Sequence, residues 1–249
     1  MGDTQWYESF FGEDYVRLYM PFLPHTKTLQ DIEAVIKLLH LKPGDSVLDL
    51  CCGYGRHALA LAHYGCQVTG LDLSPVLLAR AQSSAREQNL QLRWLESDMR
   101  NIPFSDEFTA IINMFTSFGY FSSDDENQKV LQQIARALKP GGLFLLETSY
   151  QPRVIRTTAP HGIIRYPDGL IVLEERHVDL LTSHNEVRIT LIEPEGKQRQ
   201  HFQSIRMYTL TELARMLSTA GLELQAYYGD LDASPLTLES RLVIISQKP

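Results

Sequence analysis

Between Ser46 and Ser149, short apolar runs alternate with longer stretches whose apolar residues recur at helical spacing. Runs near Ser46–Cys51, Gln67–Asp72, Gln91–Glu96, Ala110–Phe115 and Leu143–Thr148 have the length of strands, and their alternation with helices predicts a parallel sheet covered on both faces. Ser74 is placed to cap a helix and Pro75 stands in its first turn, where a missing N–H costs nothing; this helix should reach about Gln88. Another helix is marked by Asp124, Asp125 and Glu126 at its start and by Arg136 and Lys139 at its end, charges that complement the helix dipole. Val130, Leu131, Ile134, Ala135 and Leu138 form its buried stripe. Pro140 then resists continuation, and Gly141 and Gly142 supply a turn into the next strand.

From Gln151 the pattern changes. Leu170–Leu180, Glu186–Ile192 and Gln198–Tyr208 read as strands, and the connections near Ser183–Asn185 and Glu195–Gly196 suit antiparallel hairpins, which predicts an inserted β lid. Thr209 or Thr211 caps a helix that stops at Gly221, and strands near Leu222–Tyr228 and Arg241–Ser246 complete the pattern. No repeat or low-complexity linker interrupts the chain. It reads as one elaborated domain: residues 1–45 a helical cap, 46–150 and 209–249 the core, and 151–208 the lid.

The chemistry concentrates at VLDLCCGYGR, Val47 to Arg56, where an apolar strand carrying Asp49 meets a turn with Gly53 and Gly55 and then a helix start. Glycine permits positive φ and lets a ligand approach the main chain without meeting a Cβ. The first helical turn leaves N–H groups unpaired, so a carboxylate or a phosphate is favoured there. A second short strand ends in Asp72, placed in a βαβ unit to accept from both hydroxyls of a ribose, and the ligand is expected to contain adenosine.

Composition narrows the partners. The chain has 249 residues, 44% of them hydrophobic, and a formal net charge of −7, which removes a general attraction to phosphate backbones; no nucleic-acid partner is expected. The three cysteines, Cys51, Cys52 and Cys66, have the spacing of neither a disulfide framework nor a zinc set and read as small buried hydrophobes; no metal-ligand cluster is visible. The N-terminal MGDTQWYESFF lacks a basic region and a long apolar core, and no apolar stretch reaches membrane length. A cytoplasmic protein without a membrane partner is expected.

The ordered series VLDLCCGYGRHALALA, GLDLS, SDMRNIPF and LKPGGLFLLE resembles the class I S-adenosylmethionine-dependent methyltransferases over roughly Leu41 to Ser149. With FFGEDYVRLY, MFTSFGYF, the lid and a late YGD, the likeness extends to bacterial small-molecule methyltransferases of the type-11 or type-25 domain kind. The resemblance implies an α/β fold, a Rossmann-like seven-stranded sheet of six parallel strands and a last antiparallel one, with the β lid inserted. It implies S-adenosyl-L-methionine as methyl donor, S-adenosyl-L-homocysteine as product, and a small-molecule acceptor. By matched position, Gly53, Gly55 and Arg56 surround the methionine end and Asp49 holds its ammonium, directly or through water. Asp72 takes the ribose hydroxyls, Leu73 and Met99 flank the adenine, and Asp98 accepts from its amino group. Phe115 lies near the sulfonium and the acceptor, and Tyr15 and Tyr19 close over the same end as candidate catalytic groups. His57 reads as a packing residue.

For the acceptor the residues leave more open. Nucleobase and glutamine amino-methyltransferases show an Asn-Pro-Pro-Tyr-like sequence after the fourth strand, whereas this chain has Asn113-Met114-Phe115-Thr116, which disfavours those acceptors. His161 and His177 in the lid and Asp230 after the sixth strand are substrate-contact candidates. The reading is an N- or O-methyltransferase; the alternatives are a nicotinamide-dependent oxidoreductase, because GYGRHA approximates a dinucleotide loop, and a non-catalytic S-adenosylmethionine-binding protein.

Overall fold

A computed structural model describes residues 5–249; the first four residues of the expected 1–45 cap lie outside the described residues. The N-terminal part folds as helices α1 (Trp6–Phe10), α2 (Glu13–Tyr19) and α3 (His25–Leu39). The core follows as β1 (Ser46–Leu50), α4 (Arg56–Tyr64), β2 (Gln67–Asp72), α5 (Pro75–Glu87), β3 (Arg93–Glu96), β4 (Phe108–Asn113), α6 (Asp124–Ala137) and β5 (Leu138–Thr148). Then come α7 (Gln151–Thr157), β6 (His161–Arg165), β7 (Ile171–Asp179), β8 (His184–Ile192) and β9 (Gln198–Arg206), and finally α8 (Leu210–Thr219), β10 (Glu223–Tyr228) and β11 (Leu242–Gln247).

Seven strands form one sheet in the order β10-β11-β5-β4-β1-β2-β3, with β11 antiparallel to both neighbours and the other six strands parallel. Its strands are apolar on successive positions because both faces are covered. Val47, Ala110, Ile112, Leu145 and Val243 pack with Ile32, Val35 and Leu39 of α3 and Ala58 and Leu61 of α4. On the other face Leu48, Ile111, Phe144, Leu146 and Ile244 pack with Val130, Leu131 and Ile134 of α6 and Leu213 and Leu217 of α8. The caps behave as their chemistry requires: Ser74 Oγ accepts from Leu77 N–H at the start of α5, and Thr209 with Glu212 forms a capping box on α8.

Several boundaries differ from the sequence expectation. Helix α6 stops at Ala137, before Leu138 and Lys139, and its N-cap is Ser123. Lys139 to Gly142 sit within β5 as an irregularity, where the partner of Phe108 is Leu138 and that of Ala110 is Leu143. Hydrogen bonds stitch this bulge to a distant segment: Gly141 N–H donates to Lys248 C=O (2.8 Å) and Lys248 N–H to Gly142 C=O (3.0 Å). β4 begins at Phe108 and ends at Asn113, leaving Phe115 in the loop beyond it, and β3 begins at Arg93.

The segment 151–208 holds the second sheet, four antiparallel strands in the simple order β6-β7-β8-β9. Helix α7 and strand β6 are not announced by the sequence pattern. Val172, Val187, Ile189 and Leu191 form the buried face, which joins the α6/α8 core cluster. At its edge, Arg206 N–H donates to Gly119 C=O (2.8 Å), and a Cβ at Gly119 would lie 2.2 Å from Arg206 C=O; this glycine lets the two sheets meet. Among the described residues, no helix is long and apolar enough to cross a membrane.

Candidate active site

At the carboxyl end of β1 the loop adopts left-handed conformations at Cys51 (φ 61), Gly53 (φ 57) and Gly55 (φ 80), and the loop after β2 lies beside it. The two glycines serve different ends. A Cβ at Gly53 would meet nothing nearer than 3.9 Å, leaving the main chain open to a ligand, whereas one at Gly55 would meet Trp94 at 2.8 Å and Ala81 at 2.9 Å. Gly55 therefore lets the N-terminus of α4 approach the layer below.

Asp72 ties the loops together: its Oδ2 accepts from Gly53 N–H (2.7 Å) and its Oδ1 from Ser74 N–H (2.8 Å). Burial pushes its carboxyl above the ordinary carboxylate range against the pull of these bonds. Ser74 Oγ in turn donates to Phe11 C=O (2.6 Å), fastening the N-terminal segment over the same place.

Between these loops and the N-terminal helices lies a cavity of about 520 Å³, within the range of small-molecule sites. Gly53, Asp72, Leu73, Asp98, Met99 and Tyr15 line it. Asp98 is held by a two-pronged contact with Arg100, Nε to Oδ1 at 3.0 Å and Nη2 to Oδ2 at 2.6 Å, and the guanidinium stands 4.1 Å from the centroid of Phe121.

The remaining expected residues surround the cavity without lining it. Asp49 is 2% exposed beneath the loop; its Oδ2 has no hydrogen-bond partner among the described residues, and burial pushes its carboxyl up to about 7 despite the nearby Arg56 charge. Arg56 Nη1 donates to Asp31 Oδ2 (3.1 Å) and Thr28 Oγ1 (3.3 Å), and its guanidinium lies 5.4 Å from the Phe115 ring centroid. Phe115 and Thr116 take consecutive left-handed conformations, φ 60 and 62, an arrangement costly for side chains with a Cβ. Phe115 N–H donates to Glu147 Oε2 (2.6 Å), and Glu147 is ion-paired with Arg241, so buried charge holds the turn. Tyr19 meets Phe115 edge to face with centroids 6.3 Å apart and Tyr15 at 5.0 Å. Burial raises both phenols, Tyr19 up to about 12 and Tyr15 further.

His161, His177 and Asp230 are not brought to this place. His161 and His177 are exposed on the second sheet, where His177 stands opposite Glu186, and Asp230 Oδ1 accepts from Leu231 N–H (2.8 Å) inside a turn. None lines the cavity. Tyr7, Phe11, Ser117 and Tyr120 do line it and were not singled out from the sequence. Phe11 stacks on Tyr120 with centroids 5.6 Å apart; the density of aromatic residues in WYESFF and SFGYF was the available clue.

The chain is similar to known proteins in sequence and in fold. Residues 47–142 match the family described as methyltransferase domain. A curated relative, dTDP-3-amino-3,4,6-trideoxy-alpha-D-glucopyranose N,N-dimethyltransferase of Streptomyces venezuelae, is 27% identical over 189 residues, covering 74% of this chain and 78% of that protein. The fold is shared with a S-adenosylmethionine-dependent methyltransferase from Clostridium acetobutylicum (TM-score 0.81, 19% identity, 97% of this chain and 98% of that one). It is shared too with S-adenosylmethionine-bound CalS10, an amino pentose methyltransferase from Micromonospora echinaspora (TM-score 0.72, 21% identity, 95% and 97%).

Proposed function

From the premise that this chain is a class I S-adenosylmethionine-dependent methyltransferase, we propose that it methylates a nitrogen or oxygen of a small-molecule acceptor by in-line displacement. The observation that carries the reading is the convergence of Gly53 and Ser74 N–H groups on Asp72 at the wall of a cavity that also holds Asp98. The donor set suits the methyl donor chemically: a helix N-terminus and Arg56 for a carboxylate, the unpartnered oxygen of Asp49 for an ammonium, and Asp72 for ribose hydroxyls. Leu73 and Met99 would flank the adenine and Asp98 would accept from its amino group while keeping Arg100. Bound there, S-adenosylmethionine supplies a methyl group already activated by a sulfonium.

This chain's own residues then have to align and exclude. Tyr15 lines the cavity with Tyr19 and Phe115 packed behind it, and these three would bound the reacting end; orientation of this kind is worth ~7–11 kcal/mol in favourable cases. Because burial keeps both phenols protonated at neutral pH, we assign them to orienting the acceptor through O–H donation rather than to removing its proton. A neutral amine needs no strong base: it gains the methyl, becomes a cation and loses its proton to water afterwards. The second sheet serves as the lid of a single domain over the acceptor. The amino-sugar substrates in the names of two relatives make amino sugars the acceptors to try first.

The test is formation of S-adenosylhomocysteine across amino sugars, other amines and phenols, alongside thermal shift with S-adenosylhomocysteine and NADH. Stabilisation by NADH alone would overturn the reading, and tight S-adenosylhomocysteine binding with no turnover on any acceptor would favour a non-catalytic binder. A folded variant lacking residues 151–208 should keep cofactor binding and lose turnover; undiminished activity would remove the lid from the mechanism.

A further inference from the structure

We propose that Asp31 is a positioning residue for the amino-acid end of the methyl donor, acting through Arg56; the proposal rests on the role of Arg56 given above. Asp31 belongs to α3, outside the segment that matches the methyltransferase family, and is only 4% exposed. Its Oδ1 accepts from Lys27 Nζ (2.7 Å) and its Oδ2 from Arg56 Nη1 (3.1 Å), and His57 Nε2 lies 3.6 Å from Oδ2. Burial opposes the Asp31 charge, but the interactions with His57, Lys27 and Arg56 outweigh it and hold the carboxyl below the ordinary range. His57 is itself driven down to about 4 by burial and is neutral at pH 7. The Asp31 carboxylate thus faces two full positive charges, those of Lys27 and Arg56.

Arg56 opens α4 directly after the left-handed Gly55, so its side chain could swing to solvent; instead it is 13% exposed. Only Nη1 is engaged, by Asp31 and Thr28, and the Nε and Nη2 hydrogens form no hydrogen bond among the described residues. A guanidinium fixed by one corner keeps a planar donor edge free, the shape that recognises a carboxylate. With the guanidinium beside Phe115 and the unpaired amides of the first turn of α4 close by, the geometry provides for the one anionic group of the donor. A residue that merely docked α3 on α4 would need no such uncommitted edge.

The experiment compares calorimetric binding of S-adenosylhomocysteine with that of 5′-methylthioadenosine, which keeps the adenosine and the sulfur but lacks the amino-acid end. Asp31→Asn should weaken S-adenosylhomocysteine about tenfold and leave 5′-methylthioadenosine unchanged, and in an Arg56→Ala background it should add nothing. If Asp31→Asn does not fold, Thr28→Val, which removes only the other anchor of Nη1, should show the same selectivity with a loss of about two- to threefold. Equal weakening of both ligands, or a full effect without Arg56, assigns Asp31 to packing and overturns the inference while the methyl-donor reading stands. Wild-type protein that binds neither ligand overturns that reading and this inference with it.

Discussion

The strand-end loops of the large sheet and the contact between the small sheet and the N-terminal helices are built from different materials. In the first, main-chain N–H groups of Gly53 and Ser74 meet the short carboxylate of Asp72, and Cys51, Gly53 and Gly55 hold left-handed backbone. In the second, long side chains reach across: Arg17 pairs with Asp168 (2.6 Å) and Glu193 (2.7 Å), and Asp14 pairs with Arg199 and His201 (both 2.9 Å). Backbone geometry admits few substitutes, whereas half-exposed ion pairs are individually weak and exchangeable. The strand-end loops are therefore fixed by stereochemistry; if the contact with the small sheet bounds the acceptor as proposed, that end can vary without threatening the fold.

The largest test of this contrast is Gly55→Val. A side chain there is strained at φ 80 and strikes Trp94, so urea unfolding should show a loss of about 4 kcal/mol; a loss no greater than that of Arg17→Ala would erase the distinction. Next is the pH dependence of the ligand-free protein. Asp49 has a folded pKa raised to about 7, so between about pH 4 and 7 the folded state binds more protons than the unfolded one, and this group's contribution to stability falls as pH rises. His57, lowered to about 4, works in the opposite direction up to its unfolded value. Subtracting the Asp49→Asn profile from wild type isolates the Asp49 contribution, a change on the order of 4 kcal/mol over that window; superimposable profiles would remove it.

Asp72→Asn should sharpen the comparison from the ligand side. It keeps one acceptor oxygen and the shape, and S-adenosylhomocysteine affinity should fall about tenfold or somewhat more by calorimetry, with little change in the acceptor KM. The smallest effect belongs to Arg17→Ala. Its ion pairs are partly exposed, so stability should drop by less than ~1 kcal/mol, and steady-state kinetics should show a raised acceptor KM with the donor KM unchanged. A change confined to the donor would place that network on the wrong side of the site.

The same contrast explains what the sequence made readable. Asp49, the Gly53/Gly55 turn, Asp72 and the Ser74–Pro75 helix start were legible because each obeys a local stereochemical rule within a few residues. The bulge at Lys139 to Gly142 was misread as a simple turn because its hydrogen-bond partner is Lys248, more than a hundred positions away. Strand β6 escaped because it is short, contains Gly162, and gains its regularity from pairing with β7. The Phe11–Tyr120 stack joins the N-terminus to the loop after β4, a meeting no periodicity announces. His161, His177 and Asp230 carry suitable chemistry, but side-chain chemistry alone says nothing of which face of a strand or turn a residue occupies.

The position of β11 has a consequence for how the chain is made. The last strand in chain order lies inside the sheet, between β10 and β5, with Leu242, Val243 and Ile244 wholly buried. During synthesis β5 emerges some hundred residues before β11, and its outer edge stays without a partner until residues 242–247 leave the ribosome. The small sheet is made in that interval from adjacent hairpins, whose short-range pairing is the fast kind. A nascent chain halted just short of β11 would thus carry a finished small sheet beside an open apolar gap in the large one, a species suited to chaperone binding and prone to pair with its neighbours.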